Sequence, residues 1–207
     1  SHLGTMVSIA SGCAFAEKYK NTNNIALAFL GNGATSIGDV HETMNIASVL
    51  ELPLVIVIEN NQWAFGTPNR IQYGVPALAL RALGYGRKTE GYWIDGTNVI
   101  TVYETVKKAA DKARKNNITT IIESVSMRYE GHSIVDPFHT YVPTEQLEQW
   151  ASKDPVENYI SLLLTNGLLT TDDFLEIDAL ITDEVRQAAM IAENDRLPDS
   201  KNIESKV

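Results

Sequence analysis

The chain has 207 residues, of which 44% are apolar, and a formal net charge of −9 at pH 7. This length and apolar content suffice for a sizeable hydrophobic core, and the acidic balance argues against a nucleic acid partner. The single Cys13 leaves no disulfide within these residues and favours a reducing compartment. We expect Cys13 to be a buried packing thiol rather than a nucleophile. Since no run is apolar enough to span a bilayer, we expect no membrane partner.

The first part of the chain alternates predicted helices and strands. Residues 7–19 form an apolar helical stretch, and residues 24–30 form a nearly continuous apolar run that predicts a strand buried on both faces. A helical stretch over 38–50 and a second buried strand over 52–58 follow. This order is a strand, helix, strand unit, which places the carboxyl ends of two parallel strands side by side.

The alternation continues towards the C-terminus. We predict a short helix over 76–84, a strand over 91–94, an amphipathic helix over 100–115 and a buried strand over 119–124. Residues 130–143 lack periodicity and predict a long loop, followed by helices over 154–164 and 171–193, the latter capped by Thr170. The sequence therefore predicts an α/β fold with a doubly wound, mostly parallel sheet over 1–150, extended by a helical tail of the same domain over 151–207.

Polar residues follow the first two predicted strands. Gly31-Asn32-Gly33 ends the first strand and Asn60-Asn61 ends the second. Glycines at such a turn let backbone N–H groups approach an anion, and the side-chain oxygens of Asn32 and Asn61, with a backbone carbonyl and phosphate oxygens, suit Mg²⁺. Either motif alone more often marks a tight turn, but the two together at neighbouring strand ends favour a magnesium diphosphate site.

These segments resemble the thiamine diphosphate signature of the alpha subunit of the decarboxylating component of 2-oxo acid dehydrogenases, a group that includes the pyruvate, branched-chain and acetoin enzymes. The resemblance covers about three quarters of the chain, as several separate motifs in the right order. The motifs are Ser1 to Thr5, Gly31 to Asp39, Glu59 to Ala64, Trp93 to Gly96, Arg128 to Ser133 with Asp136-Pro137, and Ser152 to Pro155.

The resemblance implies a set of site residues. Cofactor contacts fall on Ser1, Leu3, Asn32, Gly33, Ala34, Asn61 and His132, and the magnesium ligands on Asn32, Asn61 and the backbone carbonyl of Trp63. His132 matches a loop histidine at the diphosphate and the substrate end of the channel, where an imidazole can donate a hydrogen bond or move a proton. We expect it to be the catalytic residue of this chain.

One departure from the family concerns the metal. Asn32 stands where the family usually has a carboxylate, which keeps an oxygen ligand but removes a negative charge, so we expect weaker metal affinity. Two alternatives therefore stay open. One is a non-catalytic or cofactor-weakened paralogue, and the other is a transketolase-like half, against which the motif Arg128 to Ser133 argues. The choice among pyruvate, branched-chain and acetoin substrates is also open.

The resemblance implies the oxidative decarboxylation of a 2-oxo acid with thiamine diphosphate and Mg²⁺, with acyl transfer to a lipoyl-bearing acyltransferase. In this family a beta subunit supplies the glutamate that activates the cofactor, so we expect an inactive chain alone and a complete site in an α2β2 assembly. Relatives also carry a region before the position of Ser1, and we expect this chain to be a fragment or to lack an ordered N-terminal part. The expected location is the cytoplasm, or the mitochondrial matrix in a eukaryote.

Overall fold

A computed structural model describes residues 3–197, and its contacts divide the chain into two units after Pro155. The first unit is built on a four-stranded parallel sheet with the order β1-β2-β6-β5, which confirms the predicted α/β fold. A two-stranded antiparallel hairpin, β3-β4, lies outside this sheet. The strands are β1 Ala26–Gly31, β2 Leu54–Asn60, β3 Trp63–Ala64, β4 Thr67–Pro68, β5 Thr89–Asp95 and β6 Thr119–Val125.

The predicted helices occur in the predicted order, with local differences. A 3₁₀ helix follows β1 directly, and the predicted short helix near residue 80 is also a 3₁₀ helix. The sequence analysis missed the β3-β4 hairpin, the short helix Asn69–Gln72 and the 3₁₀ helix Phe138–Thr140 inside the predicted loop. Among residues 3–197, no helix combines the length and the apolar content that a membrane crossing requires. The α-helices are α1 Thr5–Tyr19, α2 Gly38–Val49, α3 Asn69–Gln72, α4 Val99–Asn116, α5 Thr144–Ala151, α6 Pro155–Thr165 and α7 Thr171–Asn194, and the 3₁₀ helices are Asn32–Ser36, Leu78–Gly84 and Phe138–Thr140.

Within the described residues, the unit after Pro155 contains α6 from its second residue onwards and the whole of α7. The predicted cap of α7 is confirmed, because the Thr170 hydroxyl accepts a hydrogen bond from the Asp173 backbone N–H at 3.1 Å and the Asp173 carboxylate accepts one from the Thr170 N–H at 3.0 Å. Hydrogen bonds from Thr170 hold the pKa of Asp173 below its ordinary value. That this helical part extends the same domain stays a prediction.

The two faces of β2 pack against different helices. Leu54, Ile56 and Ile58 belong to one apolar cluster with residues of α1 and α2. Val55 and Val57 point the other way, into a second cluster with α4. Because successive strand residues alternate between faces, this run can be apolar throughout only when both faces are covered, as the sequence predicted for β2.

The prediction that the first strand is buried on both faces is wrong. Every second residue of β1 is exposed, Leu27 by 43% and Phe29 by 56%. The physical reason is its place at the edge of the sheet, since α4 packs on β2, β5 and β6. The expected burial of Cys13 is also wrong, because this thiol is exposed on α1.

The two helical connections of the sheet run inwards from its opposite edges. The connection through α2 leads from the edge strand β1 inwards to β2, and the connection through α4 leads from the other edge strand, β5, inwards to β6. The helices of the two connections lie in clusters on opposite faces. The point where the direction changes lies between β2 and β6, and ligands of α/β sheets bind at the carboxyl ends of the strands beside such a point.

Gly91 in β5 gives a sharp test of this packing. A Cβ atom at Gly91 would lie 2.1 Å from the backbone oxygen of Ala79, whereas one at Gly12 in α1 would meet nothing within 4 Å. We expect Gly91→Ala to lower the free energy of unfolding by about 1–3 kcal/mol through overpacking, and Gly12→Ala to raise it by about 0.5–1 kcal/mol through higher helix propensity. Urea denaturation of both variants checks this, and equal stabilities would contradict the described contact between β5 and the 3₁₀ helix Leu78–Gly84.

Candidate functional site

Asn32 begins the 3₁₀ helix Asn32–Ser36, directly after β1, and is only 2% exposed. Its backbone carbonyl accepts hydrogen bonds from the Thr35 hydroxyl and from the Gln72 side-chain amide, both at 2.7 Å. Its side-chain Nδ2 donates to Asn69 Oδ1 at 2.8 Å. The first predicted site residue is therefore a buried polar side chain that is held from two directions.

Asn61 and Trp63 lie beyond the carboxyl end of β2, the neighbour of β1. Asn61 Oδ1 accepts a hydrogen bond from the Trp63 backbone N–H at 3.3 Å. The Gln62 carbonyl accepts from the Asn69 N–H at 3.1 Å across the hairpin, while Trp63 is opposite Pro68. Since hydrogen-bonded and non-hydrogen-bonded pairs alternate in an antiparallel ladder, the Trp63 carbonyl faces away from β4. The Trp63 carbonyl therefore does not pair with β4, and it is a candidate ligand.

The hairpin packs against the 3₁₀ helix through Gly33. A Cβ atom at Gly33 would lie 2.8 Å from the Ala64 Cβ, whereas one at Gly31 would meet nothing within 4 Å. Only Gly33 is thus required by its surroundings, and the reason is its close contact with Ala64. This contact brings Asn32, Gly33 and Ala34 to the side of β3.

The interior end of the site contains the buried Glu123 of β6. Its two carboxyl oxygens accept hydrogen bonds from Asn60 Nδ2 at 2.6 Å and from the Ala79 backbone N–H at 3.0 Å. The Tyr73 hydroxyl also accepts from Asn60 Nδ2, at 3.0 Å, and burial raises the pKa of Tyr73. Asn60, Tyr73 and Glu123 line part of a cavity of about 250 Å³.

His132 lies in the predicted long loop, and its exposed ring contacts the hairpin. The ring is edge-on to Phe65, with 5.1 Å between the ring centroids. Arg128 connects loop and hairpin, because its guanidinium donates to the Phe65 carbonyl at 3.1 Å and to the Tyr141 hydroxyl at 2.8 Å. The loop therefore has defined contacts with the segment that carries Trp63.

Asp136 is the centre of this loop. Its Oδ2 accepts from the Tyr141 hydroxyl and from the His132 backbone N–H, the latter at 2.7 Å, and lies 3.9 Å from the Arg128 guanidinium. The hydrogen bond from Tyr141, followed by that from His132 and the charge of Arg128, holds the pKa of Asp136 below its ordinary value. An ionised Asp136 therefore stabilises the loop conformation that positions His132.

The N-terminal segment reaches the same edge of the sheet. Gly4, with a φ of +76°, is so close to the beginning of α2 that a Cβ atom would lie 2.5 Å from Ile37, the residue before α2, and 2.8 Å from Val40. Leu3, next to Gly4, is 66% exposed. Ser1 lies outside the described residues.

The donor set fits a hard cation held by neutral oxygens. Among residues 3–197, no three His, Cys, Asp or Glu side chains converge to bind a metal. The oxygens of Asn32 and Asn61 and the Trp63 carbonyl are the kind of ligand that Mg²⁺ accepts, with phosphate oxygens and water completing its shell. None of these three oxygens carries a formal negative charge.

Three residues around this site were missed by the sequence reasoning. Asn69 and Gln72, at the two ends of the single-turn α3, contact Asn32, and Glu123 contacts Asn60. A concentration of amides between residues 60 and 72 was the available signal. It had no recognisable spacing, because the partners of Asn32 are 37 and 40 residues away in the chain.

Comparisons with known proteins agree on one family. The profile of the dehydrogenase E1 component family matches residues 1–201. The pyruvate dehydrogenase E1 component subunit alpha of Rickettsia felis is 36% identical over 205 residues, which cover 99% of this chain and 62% of that protein. The 3-methyl-2-oxobutanoate dehydrogenase subunit alpha of Mycobacterium tuberculosis is 38% identical over 166 residues, 80% of this chain and 45% of that protein. The chain thus spans less than two thirds of these relatives.

The contact between Gly33 and Ala64 predicts a rescue. Gly33→Ala should lower the free energy of unfolding by about 1–3 kcal/mol, because the new methyl group displaces the hairpin. Ala64→Gly removes the atom that it meets, so the double variant should recover most of this loss. Gly31→Ala is the matched control and should be near neutral, and a control as unstable as Gly33→Ala would contradict the assignment.

The lowered pKa of Asp136 predicts an acid transition of the loop. Because the folded-state pKa lies below the unfolded value, the stabilisation is present above the ordinary pKa of about 4 and is lost as the pH falls through the lowered pKa. Fluorescence of Trp63 and Trp150, in a Trp93→Phe background, should report this change. Asp136→Asn should abolish the transition, whereas Asp111→Asn in α4 should leave it, and a transition retained in Asp136→Asn would refute this role.

Proposed function

The chain belongs to the dehydrogenase E1 component family, and we propose that it acts as the alpha subunit of a thiamine diphosphate-dependent 2-oxo acid dehydrogenase. The proposed reaction is the oxidative decarboxylation of a 2-oxo acid, with acyl transfer to a lipoyl group of an acyltransferase. The names of the relatives support this class. The observation that supports the proposal is the close contact of Gly33, next to Asn32, with Ala64, next to Trp63, at the carboxyl edge of the sheet.

In this proposal the side-chain oxygens of Asn32 and Asn61 and the Trp63 carbonyl would hold Mg²⁺, which would bind the diphosphate. The backbone N–H groups of Gly33 and Ala34 lie in the first turn after β1, where the chain can donate to phosphate oxygens. In this proposal, the segment that precedes α1 in the sequence and contains Ser1 and Leu3 adds contacts to the cofactor. When bound, thiamine diphosphate supplies the carbanion chemistry, and the protein supplies binding and orientation.

His132 is the proposed catalytic side chain of this subunit. Its backbone is fixed by Asp136 and its ring lies against Phe65, beside the hairpin that carries Trp63. An imidazole in that place can donate a hydrogen bond to a phosphate or carboxylate oxygen, or move a proton near the substrate. The ring is exposed, so in this proposal a ligand or the beta subunit covers it.

The proposed active assembly is α2β2. The glutamate expected to activate the cofactor belongs to the beta subunit, and completion of the site at the subunit interface follows from that division. Pyruvate, 3-methyl-2-oxobutanoate and acetoin are the substrates to compare.

A cofactor-weakened paralogue is the second candidate. The observation that favours it is the neutral Asn32, whose Nδ2 is already engaged with Asn69. Such a protein would keep the fold and the subunit interface but bind Mg²⁺ and thiamine diphosphate weakly. The two candidates differ in their affinity for Mg²⁺ and thiamine diphosphate, which can be measured directly.

Titration calorimetry of thiamine diphosphate into the full-length chain, assembled with its beta subunit, separates them. We expect binding that requires Mg²⁺ and that weakens about tenfold or more in Asn61→Ala, equivalent to about 1.4 kcal/mol. Asn23→Ala, in the exposed turn before β1, is the control and should bind normally. Absence of binding by the natural assembly would favour the paralogue.

The same preparations test the reaction. Release of carbon dioxide from a 2-oxo acid should require both subunits, because in this proposal the beta subunit supplies the activating glutamate. Activity of the alpha chain alone would refute the shared site, and binding without turnover of any tested substrate would refute the proposed reaction.

A further inference from the structure

Neutral amides form a continuous hydrogen-bonded chain through the site. From the interior outwards, Glu123 accepts from Asn60, Asn60 accepts from Asn69, and Asn69 accepts from Asn32. Each amide carries a donor on one side and an acceptor on the other, so the orientation of one member dictates the orientation of the next. The direction of these hydrogen bonds therefore decides which side-chain atom Asn32 presents to a ligand.

A backbone group fixes the interior end. The Gln62 N–H can only donate, and it lies 3.2 Å from Asn60 Oδ1. Asn60 must therefore present its oxygen on that side and its Nδ2 to Glu123, at 2.6 Å. The same Asn60 oxygen accepts from Asn69 Nδ2 at 2.7 Å, which turns Asn69 Oδ1 towards Asn32.

A second backbone group independently places an acceptor oxygen beside the side-chain amide of Asn32. The Asn32 carbonyl can only accept, and Gln72 Nε2 donates to it at 2.7 Å. Gln72 must then present its Oε1 on its other side, and this oxygen lies 3.4 Å from Asn32 Nδ2. Two acceptor oxygens, each oriented by a different backbone group, thus face the side-chain amide of Asn32.

We infer that Asn69 and Gln72 are positioning residues that select an amide at position 32 and leave its Oδ1 for the cation. The assignment of that cation as Mg²⁺ with diphosphate rests on the proposed function. A carboxylate at position 32 would place its negative charge against two fixed acceptor oxygens with no proton to donate. Asn32 is therefore matched to its neighbours, and its substitution by aspartate alone costs stability instead of restoring a better ligand.

A double-mutant cycle on the full-length chain, free of cofactor and metal, tests the selection. Asn32→Asp should lower the melting temperature by about 3 °C or more. In an Asn69→Ser background the loss should be clearly smaller, because a serine hydroxyl can rotate to donate to the carboxylate. Asn23→Asp controls for the added charge and should leave the melting temperature unchanged. Equal losses in the two backgrounds, or no loss at all, would overturn the inference, and folding of Asn32→Asp only in the Asn69→Ser background would support it.

A second measurement uses a substitution at position 69 and leaves Asn32 unchanged. Asn69→Ser alone should weaken Mg²⁺-dependent binding of thiamine diphosphate to the α2β2 assembly by about tenfold, the usual effect of removing a group that orients a ligand residue. Calorimetry with the natural assembly as reference gives the ratio, and an unchanged affinity would overturn the positioning role. If the natural assembly binds nothing, the proposed function fails, whereas the double-mutant cycle still decides the amide selection because it uses no ligand.

Discussion

The hydrogen bond between Glu123 and Asn60 is the interaction on which the rest of the site depends. It joins β2 and β6 near their carboxyl ends, at the point where the two halves of the sheet meet. Glu123 is 1% exposed, and an unpaired carboxyl group at that depth would be costly. Glu123 accepts from Asn60 Nδ2 while the Gln62 N–H donates to Asn60 Oδ1, and together they fix the orientation of Asn60. Asn60 in turn orients Asn69, and Asn69 orients Asn32. In the proposed function, these contacts leave the side-chain oxygen of Asn32, at the end of β1, to the metal.

Two different sets of contacts hold the two parts of the site. The strand ends and the 3₁₀ helix Asn32–Ser36 hold Asn32 in the interior, and the contact of Gly33 with Ala64 fixes the distance to the hairpin. His132 stands on a loop that is held by one charged cluster around Asp136 and by an apolar cluster that includes Trp63 and Phe138. In the proposed function, the first set of contacts positions the metal and diphosphate side and the second set positions His132.

The sequence was most informative where a pattern is local. The alternation of strands and helices, the polar residues at strand ends and the loop after β6 were all predictable, since each depends on neighbouring residues. The exposed face of β1 was not predictable, because the sequence of an apolar strand does not show whether a distant helix covers that strand. The role of Asn69 was equally hidden: an asparagine in a short turn gives no sign that its partners are Asn32 and Asn60, and only the fold brings these three side chains together.

The most direct test of this account is a crystal structure of the assembled alpha and beta chains with thiamine diphosphate and Mn²⁺, whose anomalous scattering locates the metal. The account predicts one Mn²⁺ at about 2.1–2.2 Å from the side-chain oxygens of Asn32 and Asn61 and from the Trp63 carbonyl, close to the distance expected for Mg²⁺. Asn32 Nδ2 should still face Asn69 in that structure. A metal bound elsewhere, or an Asn32 that turns its oxygen towards Asn69, would contradict the account.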